Sequence, residues 1–196
     1  MFINKYLLRL PKLLILKFMS KTNNFVFWGL YIVAWLIFVG LSIEAGALLV
    51  NFFFSIYNPE IVGNLYQKLD LSEMYYESKM AFFGIYSFIL IISILKAYLF
   101  YIVIHLMHKM DLSKPFSSFV ARQISLLSYF TLTIGILSYV ARQSAKNLMH
   151  HGFVTDNLNH FWADSQAFII MAAVIYIISV IFAKGIELQN DNELTI

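Results

Sequence analysis

Four long apolar stretches constrain this chain more than any other feature of its sequence. They lie at about residues 25–54, 81–107, 124–140 and 167–183. The hydrocarbon core of a bilayer is about 30 Å thick, and roughly 20 helical residues cross it. The first two stretches exceed that length and the other two are close to it. The sequence therefore predicts an all-α, polytopic membrane protein with four transmembrane helices in an antiparallel bundle at residues 25–183.

The composition agrees with this prediction and excludes other classes of protein. Hydrophobic residues make up 60% of the 196 residues, and charged residues make up 13%, about half of their usual share in soluble domains. Intrinsic disorder is excluded because it needs low hydrophobicity and high charge. A soluble enzyme has no core large enough to bury so much apolar surface. The chain contains no cysteine, which excludes disulfides, thiolate catalysis and Cys-ligated zinc.

The distribution of basic residues predicts the orientation in the membrane. Residues 1–24 contain five Lys or Arg and no acid. With the N-terminus inside, nine basic residues flank the spans on the inner side and four on the outer side, in agreement with the positive-inside rule. We therefore expect both termini in the cytoplasm. Residues 1–24 are predicted to form a basic interfacial segment whose helix begins near Pro11, and residues 184–196 form a cytoplasmic tail.

Loop residues mark the ends of several helices. Asn58-Pro59 has the pattern of an N-cap followed by Pro at the first helical position, which predicts a short outer helix. The predicted apolar face of this helix comprises Ile61, Val62, Leu65 and Leu69. The Ser-Lys-Pro motif at 113–115 predicts the start of the third long helix, and Gly152 predicts its end in the left-handed conformation.

An acidic residue, Glu44, lies inside the first apolar stretch. Its helix face, which favours contact with other helices over lipid, also holds Gly40, Ala47 and Asn51. Counting about 1.5 Å per residue from the inner ends puts Glu44 and Arg142 at similar depth, so we expect them to pair near the outer face. Lys96 is expected to extend toward the cytoplasmic headgroups, out of reach of Glu44. A structural ion pair or hydrogen-bonded carboxyl and a proton relay are the two interpretations of Glu44.

Small and polar residues follow one face of the third stretch. At helical spacings of three and four, these are Ser128, Thr131, Gly135, Ser138 and Arg142. Such a stripe is typical of close helix packing. The alternative interpretation is a hydrated polar pathway.

The third and fourth stretches predict a hairpin that turns near Phe153. Folding the chain at this turn places Arg142 opposite Asp164, Lys146 opposite His160, and His150 opposite Asp156. One interpretation is that these residues are simply the charged surface of an outer hairpin. The other is a site that binds a metal or senses protons and also includes His151. The candidate polar network comprises Glu44, Arg142, Lys146, His160 and Asp164. Because no HExxH pattern is present, we predict neither a metal nor a cofactor.

Three motifs resemble a bacterial membrane family catalogued as domain of unknown function 2975. They are Lys-Pro-Phe-Ser at 114–117, Asp-Ser-Gln-Ala-Phe at 164–168 with Met-Ala-Ala at 171–173, and the tail 184–196 that ends in Glu-Leu-Thr-Ile. The order Asn-Asp-Asn-Glu within the tail departs slightly from the family pattern. The resemblance implies a four-span bacterial inner-membrane protein without an established reaction. It also implies association with a small helix-turn-helix regulator, which family members are often encoded beside.

The functional prediction is a non-enzymatic sensor or anchor, because no GxSxG, P-loop or dinucleotide motif is present. Its partners are the lipid bilayer and a cytoplasmic protein, with no direct nucleic-acid contact. The residues expected to dock the partner, together with loop 114–117, are Leu188, Gln189, Asn190, Glu193, Leu194 and Ile196. Docking of the tail on loop 109–122 of its own chain is the competing interpretation. The alternative functions are a small homo-oligomeric transporter or channel subunit, which uses Glu44 and the polar stripe, and an intramembrane enzyme.

Overall fold

The computed structural model describes the backbone of residues 9–112 and 115–194, and side chains over 25–191 except Pro59 and residues 113–114. This part is 88% helical and contains no strand. The α-helices are α1 (Arg9–Tyr57), α2 (Ser72–Glu77), α3 (Lys79–Lys109), α4 (Ser118–His150), α5 (Asn159–Trp162) and α6 (Ser165–Leu194). Short 3-10 helices cover Pro59–Asn64, Tyr66–Lys68 and Asp156–Leu158.

Four helical segments are long and apolar enough to cross a membrane, which confirms the predicted multi-pass architecture. They are Phe25–Tyr57, Lys79–Lys109, Ser118–His150 and Asp156–Asp191. Each contains 31 to 36 residues and is therefore longer than the roughly 20 residues that a bilayer requires. The third long helix extends well beyond its predicted apolar stretch, because α4 continues through polar residues such as Gln143 and Lys146.

The long helices pack in chain order: α1 on α3, α3 on α4, and α4 on α6. Within the described residues α1 and α6 share no comparable packing, so each leaves most of its apolar surface uncovered. Tyr31 of α1 lies against His108, whereas Phe52 lies against Phe83, so residue numbers rise along α1 as they fall along α3. We call the end with residues 58–78 and 151–158 the distal end, and the other end, with loop 110–117, the terminal end.

The segment between α1 and α3 forms the distal part of the hydrophobic core. As predicted, the Asn58 side chain accepts a hydrogen bond from the amide of Glu60 (3.1 Å). The prediction of one short helix is wrong, because the segment forms two 3-10 helices, and Leu65 and Leu69 pair as an isolated β-bridge on either side of the second one. The reversal between them depends on positive φ angles at Gln67 and Lys68. The buried core here includes Leu48, Val62, Leu65, Leu69, Met74, Phe82, Tyr86, Ala145, Leu158, Phe161 and Trp162.

Two predicted helix starts differ from the structure. The N-cap of α4 is Ser117, whose Oγ accepts a hydrogen bond from the amide of Val120 (3.3 Å), and not the motif at 113–115. Ser113 and Lys114 lie outside the described residues. In the described backbone, α1 begins at Arg9 and includes Pro11 in its first turn, where Pro is tolerated because the missing N–H has no helical acceptor. The basic segment is thus continuous with the first span.

The distal hairpin turns where predicted but has a different register. Gly152 has φ +97°, which confirms the left-handed helix end. Thr155 Oγ1 donates to the carbonyl of Ala145 (3.3 Å), whereas the predicted register put residue 161 there. Residues 153–155 are not helical, and irregular backbone can advance further per residue than the roughly 1.5 Å of a helix. The returning chain therefore reaches the level of Ala145 in fewer residues than a helix needs.

Candidate functional site

A polar contact joins α1 and α3 near the middle of their lengths. Ser93 Oγ donates to Glu44 Oε1 at 3.4 Å. Ser93 is buried and Glu44 is half-buried. Both residues lie about 20 Å from the distal ends of their helices, which explains why they meet. Glu44 is therefore satisfied by a neighbouring helix, although not by the predicted partner.

Lys96 connects this contact to the segment that returns from the distal hairpin. Its Nζ donates to the carbonyl of Phe161 (3.2 Å) and lies 5.9 Å from the ring centroid of Phe168. The carboxylates whose charges act on Lys96 are those of Glu44 and Asp164. We call Glu44, Ser93, Lys96 and Asp164 the polar cluster.

The prediction that Lys96 extends toward the cytoplasmic headgroups is wrong, because its Nζ is hydrogen-bonded to the carbonyl of Phe161, whereas no salt bridge joins Lys96 to Glu44 among the described residues. Side chains on a helix tilt toward its N-terminus, and the N-terminus of α3 is at the distal end. Lys96 therefore extends toward the distal end. Depth counted from the predicted inner ends also gave Glu44 the wrong partner, because its hydrogen bond is to Ser93 of α3.

The ion pairs predicted for Arg142 are not formed. Among the described residues, neither Glu44 nor Asp164 has a nitrogen of Arg142 within salt-bridge distance. The shifted register of the hairpin is the reason for the missing pair with Asp164. The pairing of Lys146 with His160 and of His150 with Asp156 fails for the same reason.

The distal histidines are exposed and do not converge on a common point. His160 is stacked on Phe161 with centroids 3.9 Å apart, and His151 Nδ1 lies 2.8 Å from the carbonyl of Asn147. Lys146 and His150 are also exposed. Within the described part of the chain, no three His, Asp or Glu residues are placed to hold one metal ion.

The small and polar stripe of α4 faces α6. Ser128 Oγ donates to the carbonyl of Ala172 (3.0 Å). A Cβ atom at Gly135 would lie only 2.7 Å from Ile169 Cγ1 and 3.2 Å from the carbonyl oxygen of Ser165. Thr131 is buried and its hydroxyl donates within α4 to the carbonyl of Leu127 (2.6 Å). The structure therefore places this stripe in a close helix contact.

Three buried polar atoms beside this contact have no hydrogen-bond partner in the described residues. They are Ser138 Oγ, Trp162 Nε1 and Ser165 Oγ, and each side chain belongs to a residue that is only 1% exposed. Buried polar groups are nearly always paired with protein or with bound water. Sequence reasoning missed Trp162 and Ser165, which flank the break between α5 and α6 and carry no spacing signal of their own.

A hydrogen-bonded turn fixes the distal loop outside the spans. Asp70 Oδ1 accepts bonds from the hydroxyl (2.6 Å) and the amide (2.9 Å) of Ser72. These bonds, the hydroxyl bond above all, hold the pKa of Asp70 below its ordinary value. Asn157 Nδ2 donates to the carbonyl of Asp70 (3.3 Å) and so ties this loop to the distal hairpin.

At the terminal end, the loop before α4 packs on the base of the tail. The Phe116 ring lies 5.2 Å from the ring of Phe182, measured between centroids. A Cβ atom at Gly185 would lie 2.7 Å from Cδ1 of the same phenylalanine. A larger residue at position 185 would displace Phe116, so the loop residues 115–117 and the start of the tail form one surface, which we call the loop–tail surface.

The tail is a direct continuation of helix α6. The helix runs through Asn190 and ends at Leu194, and Lys184 Nζ pairs with Glu187 Oε2 (2.6 Å). Leu188 is 64% exposed, and Gln189 is exposed as well. The side chains of Glu193 and Leu194, and all of Ile196, lie outside the described residues.

No protein family, curated protein or solved structure matches this chain. The four long apolar helices define the class of the protein, which is a multi-pass helical membrane protein with four candidate spans. The resemblance to the family of unknown function stays a prediction.

Proposed function

We propose that this chain is a non-enzymatic protein of a bacterial inner membrane that binds a cytoplasmic protein through its loop–tail surface. In this proposal the four spans form an antiparallel bundle and both termini lie in the cytoplasm. The observation that carries the proposal is that, among the described residues, the loop packs on the base of the tail, through Phe116 and Gly185, while Leu188 beyond this contact is 64% exposed. The two segments that the sequence singled out for partner binding thereby become one surface.

The geometry of the tail suits the presentation of a binding surface to a cytoplasmic protein. Because helix α6 crosses the membrane and continues to Leu194 without interruption, the direction of the tail is set by the packing of the span. Glu187, Asp191 and Glu193 give the tail an acidic character, which suits a partner with a basic surface. A small DNA-binding regulator of the kind that the resemblance implies has such a surface.

Variants at Gly185 test the proposal. In Gly185→Leu the added side chain forces Phe116 away, and we expect a large loss of partner capture from native membranes. Gly84→Leu adds the same side chain to α3, where no atom lies within 4 Å of the Cβ position, and serves as the control. Truncation of residues 187–196 should also abolish capture without affecting membrane insertion. Identical partners recovered with wild type, Gly185→Leu and the truncated chain would refute the proposal.

A second candidate function is a small oligomeric transporter or channel subunit. The polar cluster and the three unpartnered buried atoms near Ser138 favour it, because intramembrane polar groups commonly mark pathways for ions or solutes. Flux through proteoliposomes that is lost in Glu44→Gln but kept in Glu60→Gln, an exposed distal substitution, would support this function. Absence of flux for wild type across cations, anions and protons would exclude it.

A further inference from the structure

A cavity of about 270 Å³ opens between α1 and α3 at the terminal end. Its lining residues are Phe27, Trp28, Tyr31, Met107, His108 and Leu112. Most of the lining is apolar, and Trp28 is 62% exposed. The cavity lies just inside the point where the first span begins, at Phe25. Tryptophan and tyrosine prefer this depth, at the boundary between headgroups and acyl chains.

One polar pair interrupts the apolar lining. The Tyr31 hydroxyl and His108 Nδ1 are 3.4 Å apart, and the two rings stack with centroids 6.4 Å apart. This pair presents hydrogen-bonding groups at the level of the ester carbonyls that join the glycerol to the acyl chains of a lipid. The remaining surface suits the first part of an acyl chain.

Cationic residues stand on the same helix face, closer to the water. Helix α1 is continuous from Arg9, so helical spacing places positions 17, 21, 24, 28 and 31 along one face. Positions 17 and 21 are lysines, about 16 and 10 Å from Trp28, respectively, along the helix axis. The order along this face is cation, aromatic ring, apolar cavity, which matches the order of phosphate, glycerol and acyl chain in a phospholipid.

We propose that this cavity is a binding site for one anionic phospholipid, with the lysine positions 17 and 21 on its headgroup side and the Trp28–His108 cavity around its upper acyl chain. The charge of the segment selects the anionic lipid over a zwitterionic one: residues 1–24 contain five basic residues and no acid. This inference does not depend on the proposed function.

Fluorescence quenching of Trp28 tests the site. The background variant Trp35→Phe removes the other exposed tryptophan, while Trp162 is buried in the distal core and serves as an internal reference. The protein is reconstituted in phosphatidylcholine vesicles with a minor fraction of brominated lipid, either phosphatidylglycerol or phosphatidylcholine. Two lysines near a membrane surface correspond to a preference of roughly tenfold or more for the anionic lipid. We therefore expect brominated phosphatidylglycerol to quench Trp28 to a given extent at roughly one tenth of the membrane mole fraction that brominated phosphatidylcholine needs for the same quenching.

Two lysine variants separate a specific site from general attraction. Lys17→Gln/Lys21→Gln should bring the two quenching curves together. Lys5→Gln/Lys12→Gln removes the same charge and should leave them apart, because position 12 falls on a different helix face from position 21. Equal loss in both double variants, or equal quenching by both lipids in the parent, would overturn the proposal. Relief of quenching by inorganic phosphate would also overturn it, since the site would then bind a free anion.

Discussion

Replacement of Gly135 by alanine tests how closely α4 and α6 pack. The new Cβ would lie 2.7 Å from Ile169 Cγ1, 3.0 Å from the amide nitrogen of Ile169 and 3.2 Å from the carbonyl oxygen of Ser165. The Ile169 side chain can rotate away. The two backbone atoms can be relieved only if the N-terminal part of α6 moves. We therefore expect Gly135→Ala to overpack the contact.

The size of the effect follows from two opposing terms. Overpacking of a well-packed contact typically costs about 1–3 kcal/mol. Alanine in place of glycine in a helix gains about 1 kcal/mol, which offsets part of that cost. Gly84→Ala on α3 is the matched control, because no atom lies within 4 Å of its Cβ position and only the gain applies. The difference between the two variants therefore isolates the overpacking cost of about 1–3 kcal/mol.

Thermal unfolding in one detergent and at one scan rate measures this difference. For a chain of this size, 1 kcal/mol corresponds to about 2–4 °C in Tm. Gly135→Ala should thus unfold about 2–12 °C below Gly84→Ala. An equal or higher Tm for Gly135→Ala would show that α4 and α6 are not in contact at this level, and the hairpin register would have to be revised.

Three further substitutions test separate features of the structure. Lys96→Met should destabilise the protein by about 1–3 kcal/mol, because it removes a charged hydrogen bond to α5. The control Lys79→Met, at an exposed lysine, should have little effect. Equal unfolding temperatures for the two variants would contradict the polar cluster. Ser128→Ala should cost about 1 kcal/mol in the same unfolding assay, and no change would mean that its bond to α6 is absent. Asp70 has a lowered pKa because Ser72 donates to it, so its stabilising effect is complete above the ordinary pKa and is lost as the pH falls through the lower folded value. Asp70→Asn should therefore lose less Tm than wild type between pH 7 and pH 3, and parallel losses would refute this assignment.

The sequence predicted the parts of the fold that depend on local chemistry. Apolar stretches of sufficient length become spans, because only a helix satisfies its own backbone in lipid. Asn58 caps the distal turn and Gly152 ends α4 for equally local reasons: a side-chain acceptor and a positive φ. Each of these features needs information from only a few neighbouring residues.

Features that depend on several helices were predicted less well. The register of the distal hairpin depends on the backbone path of the non-helical residues 153–155, and the sequence predicted a turn there without predicting how far that turn advances the chain. The partner of Glu44 depends on how far α1 and α3 extend at both ends. One signal was nevertheless present: Ser93 and Lys96 are three residues apart and share a helix face, which marks the side of α3 that meets Glu44.

The stripe around Glu44 shows what helical periodicity can and cannot specify. Spacing correctly groups Gly40, Glu44, Ala47 and Asn51 on one face, but it does not identify what that face meets. In the structure Ala45 and Leu48 are buried on a face of α1 adjacent to that of Glu44, and Gly40 has no other part of the described chain within 4 Å of its Cβ position. Only Glu44 reaches across, to Ser93. A polar helix face costs more free energy in lipid than in contact with protein. If the protein forms the oligomer of the second candidate function, burial of this face of α1 against another copy would therefore stabilise that oligomer.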